Sequence, residues 1–241
     1  MPDLHYEEPL LADLYDLDSG WSIDRDFYLS LAGKPPQRIL DLGCGTGLLC
    51  HAYAGLGHAV TGVDPAKAML DVARRKPNGE RIEWIRSDAQ SFRSAERFDL
   101  IIMTGNAFQV FLEDRDILAT FATMRDHLAE NGRIAFESRN PALDWPSRWN
   151  RDADLDAGGC IIRQSRRVLA MTDKRIAFDT IYALGDRTLV SSSALLFLSR
   201  DEIEARLTAS GLQVEAVYGD WACQPFDAAT AEEMVFIARA A

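Results

Sequence analysis

Long apolar runs, a basic excess and paired cysteines are all missing from this 241-residue chain. No stretch approaches the ~18 consecutive apolar residues of a membrane span, so none is expected. The opening Met1-Pro2-Asp3-Leu4-His5-Tyr6-Glu7-Glu8 is acidic and has no apolar core segment, unlike a secretory signal, and this leads to the expectation of a cytoplasmic protein. Four cysteines, Cys44, Cys50, Cys160 and Cys223, form no C-x-x-C pair and have no histidine at zinc-finger spacing. Neither a disulfide framework nor a metal site is indicated, and the four are expected to be buried thiols. Twenty-six basic side chains against 37 acidic ones leave a net charge of −11. Binding along a nucleic-acid backbone needs a basic surface that neutralises phosphates, so DNA and RNA are disfavoured as the main ligand. The four histidines, His5, His51, His58 and His127, form no catalytic constellation, and there are no internal repeats or low-complexity segments.

What is present is an ordinary globular composition, 47% hydrophobic and 26% charged. Chains of this length bury roughly 70–75% of their unfolded surface, enough for a full core. Helical periodicity occurs twice before residue 35, as Leu10-Leu11-Leu14-Leu17 and Ile23-Phe27-Leu31, closed by Gly33 and Pro35-Pro36. Strands and helices then alternate. Strands are expected at 38–43, 59–64, 82–85, 98–103 and 133–136. Helices are expected at 48–56, at 66–75 with Asp64 as N-cap and Pro65 at its first position, and at 115–130, stopped by Asn131-Gly132. Strands separated by helix-length segments imply a parallel sheet with helices on both faces. After Pro141 a Trp-rich loop with an acidic tail precedes three β-rich runs, 160–171, 175–184 and 188–198, which must form an antiparallel meander. A helix at 200–210 and strands at 212–217 and 234–238 close the parallel sheet. The expected organisation is one domain over 1–241: a helical cap over 1–35, a cofactor-binding sheet from 36–141 and 200–241, and an inserted loop and β lid over 142–199.

The segment ILDLGCGTGLLC, residues 39–50, places Gly43, Gly45 and Gly47 where a strand turns into a helix. Glycines there let a ligand approach the backbone, and the helix N-terminus beyond presents unpaired N–H groups. About twenty residues on, Asp64 ends the second strand, where an acid can accept from both hydroxyls of a ribose. A dinucleotide fingerprint requires G-x-G-x-x-G, and counted from Gly43 its last position is Leu48. The nicotinamide reading fails there.

The pattern acid-x-G-x-G-x-G resembles the first motif of the class I S-adenosylmethionine (SAM)-dependent methyltransferases. The likeness continues through VTGVDPAKAML, IRSDAQSF, FDLIIMTGNAFQ and LAENGRIAFESRNP, over residues 38–140 and the terminal strands. It implies a Rossmann-like α/β sheet with helices on both faces, an N-terminal helical lid and an inserted antiparallel β meander. It implies SAM as cofactor and S-adenosylhomocysteine as product. Carried over, it puts Asp41 near the cofactor's ammonium group and Gly43, Cys44, Gly45, Thr46 and Gly47 around its methionine part. Asp64 and Pro65 fall at the ribose, Asp88 and Ala89 at the adenine edge, and Thr104 and Gly105 at the end of the fourth strand. Met69 either touches the adenine face or packs in the core. Tyr15, followed by Asp16, resembles the Tyr-Asp of an N-terminal helix that closes over the cofactor, or is a packing residue.

Ligands of open α/β sheets bind beyond the carboxyl ends of the strands, so the loops after the fourth and fifth strands face the methyl group. Polar groups there need partners. Glu137 and Arg139 are expected on one side of the fifth strand, paired with each other, facing a cleft, or holding a polar substrate, with Asn106 across from them. Asn106 and Gln109 can equally cap the following helix, and Trp145 and Trp149 either wall a substrate pocket or pack the lid. Glu137 is the carboxylate nominated as a base, and an anionic group on the acceptor could capture Arg139 bidentately. There is no D/N-P-P-Y/F segment after the fourth strand, which lowers base N-methylation. The reading is methyl transfer to O or N of a small polar metabolite. A tRNA or rRNA methyltransferase and a non-catalytic SAM-binding protein stay open as alternatives, and nothing indicates an oligomeric state.

Overall fold

The computed structural model describes residues 3–172 and 174–241. Three helices open the chain, α1 (Leu4–Glu7), α2 (Pro9–Asp18) and α3 (Ile23–Leu31). Then follow β1 (Arg38–Leu42), α4 (Leu48–Gly55), β2 (Ala59–Asp64), α5 (Lys67–Arg75), β3 (Glu83–Arg86), β4 (Phe98–Met103), α6 (Asp114–His127) and β5 (Leu128–Arg139). Next come α7 (Trp145–Trp149), β6 (Arg151–Ala157), β7 (Cys160–Met171), β8 (Arg175–Leu184) and β9 (Arg187–Leu196). The chain ends with α8 (Arg200–Ala209), β10 (Leu212–Tyr218) and β11 (Glu233–Ala240). The first sheet has the order β10-β11-β5-β4-β1-β2-β3, with β11 antiparallel to both neighbours. Reversal of strand order between β1 and β4 opens a crevice above their carboxyl ends.

Two cores form on the faces of this sheet because its central strands are apolar on both sides. On one face Phe108, Phe121, Phe136 and Phe236 stack within 5.0–5.5 Å of one another in sequence, and full burial of each such ring contributes about 1.5–3 kcal/mol. On the other, Tyr28, Ile39, Tyr53, Leu70 and Ile102 pack together. The capping box of α8, Ser199 with Glu202, fixes the helix that precedes β10.

Four features differ from the sequence reading. α6 ends at His127 and the chain is already extended from Leu128, since Leu128 pairs with Phe98 and is buried. α5 starts at Lys67, with Pro65 outside it and no side chain capping Ala66. The antiparallel sheet has four strands in the order β6-β7-β8-β9. The additional strand, β6, is the acidic segment read as loop, and it is recruited by pairing with β7 from Arg151↔Arg166 to Ala157↔Cys160. Of the thiols expected to be buried, Cys44 and Cys50 are, whereas Cys160 and Cys223 lie exposed at turns.

This second sheet meets the first at the loops after β4 and β5. Gln109 Nε2 donates to Leu196 O at 3.1 Å, and Trp145 and Trp149 pack on Ile176, Phe178 and Phe197. α2 lies between α5 and the second sheet, with Ala12 against Ala66 and Met69 on one side and Leu11 and Leu14 against Leu155, Ile162 and Tyr182 on the other. The N-terminal helices thus cover the crevice.

Candidate active site

The glycine loop runs from β1 into α4 with Gly43, Gly45 and Gly47 all at positive φ. A Cβ built on Gly45 meets nothing within 4 Å, so this turn faces open space that a ligand can take. Gly47 differs: a Cβ there would overlap the Trp84 ring, so its lack of a side chain serves packing on β3. Thr46 is also committed, since its hydroxyl donates to Asp16 Oδ1 at 2.5 Å and its carbonyl accepts from Lys76 Nζ at 2.8 Å. The Tyr15-Asp16 pair is therefore anchored to the loop through the Asp, and Tyr15 lies against Tyr6 and His5.

Asp64 is not a helix cap. Its Oδ2 accepts from Gly45 N–H at 2.9 Å and its Oδ1 from Ala66 N–H at 2.8 Å, which draws the glycine loop towards the end of β2. Burial raises its carboxyl to about 6. Asp41, at the heart of β1, is 2% exposed. One of its oxygens, Oδ2, accepts from Cys50 Sγ at 3.3 Å, while the buried Oδ1 has no partner. Burial pushes Asp41 up to about 7, with the charges of Asp64 and Glu137 adding to the effect. An unsatisfied buried carboxylate oxygen beside an open glycine turn fits the ammonium group of SAM, which would supply the missing donor. Pro65 borders the same turn, exposed Asp88 and half-buried Ala89 follow β3, and Thr104 and exposed Gly105 follow β4. Met69 is fully buried among Ala12, Ala66 and Ala68 beneath Tyr6 and Tyr15, so its role is packing.

Across the crevice, Glu137 is 2% exposed at the end of β5. Its Oε2 accepts from the Tyr28 hydroxyl and its Oε1 from Asn106 N–H at 2.5 Å. Arg139 shares its side of the strand, and of the three expected arrangements the mutual ion pair is not the one found. Arg139 Nη1 donates instead to Gln109 Oε1 at 3.0 Å, and its guanidinium lies 5.1 Å from the Trp149 ring centre and 5.7 Å from that of Trp145. The neutral amide wins because Tyr28 and the Asn106 backbone already occupy Glu137. Asn106 does not cap a helix either. The surrounding hydrogen-bond pattern assigns its amide the orientation that donates to Gln109 Oε1 (3.2 Å) and Glu233 Oε2 (3.3 Å) and accepts from Arg139 Nη2 (3.3 Å).

Glu233 and Tyr28 are participants the sequence reading missed. Glu233 opens β11 directly opposite Arg139, a register set only by strand pairing. Tyr28 reaches Glu137 from a helix 109 residues away. Burial raises Glu137 to about 7 and Glu233 to about 8, with the charges of Glu137 and Glu232 adding to the effect at Glu233. A cavity of about 470 Å³ opens on the outer side of Glu233 beside Trp221, with no glycine-loop residue in its wall.

Residues 39–132 match a family model described as a methyltransferase domain. The fold is shared with a SAM-dependent methyltransferase from Clostridium acetobutylicum, at a TM-score of 0.80 and 16% identity over 97% of this chain and 98% of that one. The whole chain therefore shares the fold of a SAM-dependent methyltransferase, and its residues 39–132 match the methyltransferase domain. It is also similar to the cypemycin N-terminal methyltransferase of Streptomyces, 25% identical over 84% of this chain and 83% of that protein. A SAM-bound amino pentose methyltransferase of Micromonospora echinaspora shares the fold at a TM-score of 0.72 and 22% identity, covering 96% of this chain and 97% of that one. Other curated relatives are matched over 33% to 62% of their own length. No helix among the described residues is long and apolar enough to cross a membrane.

Proposed function

We propose that this methyltransferase acts on the nitrogen of a small polar amine. The observation that carries the reading is the pair Glu137 and Glu233, two carboxyls drawn above their ordinary range by burial around a single guanidinium, Arg139. An ammonium group entering beside them supplies a second cation and favours their ionised forms. The cypemycin relative and the amino pentose methyltransferase are both named for amine-bearing acceptors, which supports the same choice over oxygen.

When bound, SAM supplies a methyl carbon that an uncharged nucleophile can take in one displacement, with sulfur leaving as the thioether. The residues of this chain have four tasks. Asp41 and Asp64 hold the cofactor's ammonium and ribose, and the Gly45 turn accommodates its chain. Glu137 accepts the proton that the amine must lose, its Oε1 and Oε2 positioned by the Asn106 N–H and the Tyr28 hydroxyl. Asn106 links Glu233 and Arg139 so that the acceptor meets a fixed arrangement. The N-terminal helices and the four-stranded sheet act as a lid that excludes water. We place the reaction in the cytosol, in keeping with four free thiols, two of them exposed.

The test is incubation with methyl-labelled SAM and matched pairs of small amines and their hydroxyl analogues, read by mass spectrometry. N-methylated product from the amine member is expected. Transfer to the hydroxyl member with the amine inert would overturn the choice of nitrogen.

A further inference from the structure

Resting on the amine reading, we propose that Arg166 and Arg139 form an anion subsite that receives a carboxylate or phosphate carried by the methyl acceptor. Arg166 stands on β7 and continues the inward-facing series Ile162 and Gln164. Its guanidinium lies 5.7 Å from the ring centre of Trp149 and 5.3 Å from that of Phe178. Trp149 is also the ring under Arg139, so one indole gathers two cations at the mouth of the crevice.

Neither guanidinium makes a direct ion pair, although the charges of Glu233 and Glu137 reach Arg139. Among the described residues no carboxylate lies within 4.0 Å of either guanidinium, and the buried Nε of Arg166 has no hydrogen-bond partner. The contrast with its own sheet is direct: Arg163 pairs with Asp154 at 3.3 Å and Arg167 with Asp152 at 2.6 Å. Asp18 is the carboxylate whose charge reaches Arg166, yet its oxygens are taken by Gln164 Nε2 at 3.1 Å and by Arg151 at 3.8 Å. Arg166 also feels the positive charges of Arg151 and Arg139.

Burying cations together without directly paired anions costs free energy that ring faces only partly offset. In a chain of net charge −11 such an arrangement does not arise from a surplus of arginine over acid. It is accounted for when a ligand brings the anion, and planar guanidiniums match carboxylate and phosphate oxygens bidentately. With the amine at Glu137 and Glu233 and the anion at Arg139 and Arg166, the acceptor is amphoteric, carrying an amine and an anionic group.

The full chain, saturated with S-adenosylhomocysteine so that the cofactor's own carboxylate is already placed, is titrated separately with acetate and with inorganic phosphate while the arginine Nε–Hε resonances are followed by NMR. A saturable shift of the Arg166 signal is expected with one of the two, and which one names the anion. Arg166→Gln should weaken that anion about tenfold or more, the loss of one charge-assisted hydrogen bond, and Arg166→Lys should weaken it less. Unshifted Arg166 with both anions overturns the proposal. So does a shift produced by S-adenosylhomocysteine alone and unaltered by either anion, because the subsite would then serve the cofactor. Should Arg166→Gln fail to fold, the Arg166→Lys titration and the unmodified chain still decide. Because the titration uses no methyl acceptor, anion binding without amine methylation would sink the amine reading and leave the subsite standing.

Discussion

The two walls of the crevice are built in different ways. On the cofactor side Asp41, Gly45 and Asp64 come from one continuous strand–loop–helix–strand stretch, in which the loop glycines are placed by their backbone and Asp64 is held by the Gly45 and Ala66 amides. On the acceptor side Tyr28, Asn106, Glu137, Arg139, Arg166 and Glu233 arrive from five separate elements or loops and meet only when the sheets pack. A cofactor common to many enzymes can be met by a contiguous, reusable motif. An acceptor peculiar to one enzyme is met by residues whose spacing in sequence carries no signal.

The sharpest way to break this contrast is within the glycine loop. Gly45→Val should abolish SAM binding measured by calorimetry, because its side chain enters the open turn, while a cooperative thermal transition persists. Gly47→Ala should instead cost about 1–3 kcal/mol of stability through overlap with Trp84, seen as a lower Tm. Equal effects on binding and stability from both changes would erase the distinction between a ligand-facing and a packing glycine.

On the opposite wall, Glu137→Gln should slow methyl transfer by about 10²–10⁴-fold, the range for a lost general base, with SAM affinity altered little. A parallel loss of SAM affinity would assign Glu137 to the cofactor wall.

The pH dependence separates the walls next. Asp41 and Glu137, both raised to about 7, keep their protons at low pH in the empty site. A carboxyl raised on folding stabilises the fold fully below its unfolded value, and that contribution is lost as pH rises through the folded value. The ammonium of SAM favours ionised Asp41, so binding should release a proton below about pH 7 and tighten by up to tenfold per pH unit there. Calorimetry in two buffers of different ionisation enthalpy measures the proton, and Asp41→Asn should remove this dependence. The smallest effect is expected at Met69→Leu: less than about 1.5 kcal/mol on Tm and none on SAM affinity, as befits a core residue.

Particular residues show where sequence reading carries. Strand β4 falls on the expected 98–103, since a run buried on both faces and bounded by turns has few alternatives. Leu128 to Glu130, by contrast, continues the helical pattern of α6 yet lies extended, because the edge of β4 offers Leu128 a partner that a helix could not. The same tertiary override turned the acidic segment at 151–157 into β6, where pairing with β7 outweighs a composition poor in strand formers. Asp64 was legible as a functional acid but not as the clamp on Gly45, a bond between residues 19 apart that forms only once β1 and β2 are side by side.

What the sequence determined by itself was the cofactor wall and the order of the main sheet, because alternating elements, glycine spacing and an acid at the end of a strand are local facts with local physical causes. Tertiary structure alone decided the acceptor wall. Tyr28 meets Glu137, Glu233 stands opposite Arg139, and Arg166 shares Trp149 with it through helix docking, strand register and the folding-over of an inserted sheet. The reason is physical: a buried charge is governed by what surrounds it in space, and those surroundings are assembled from segments up to about two hundred residues apart.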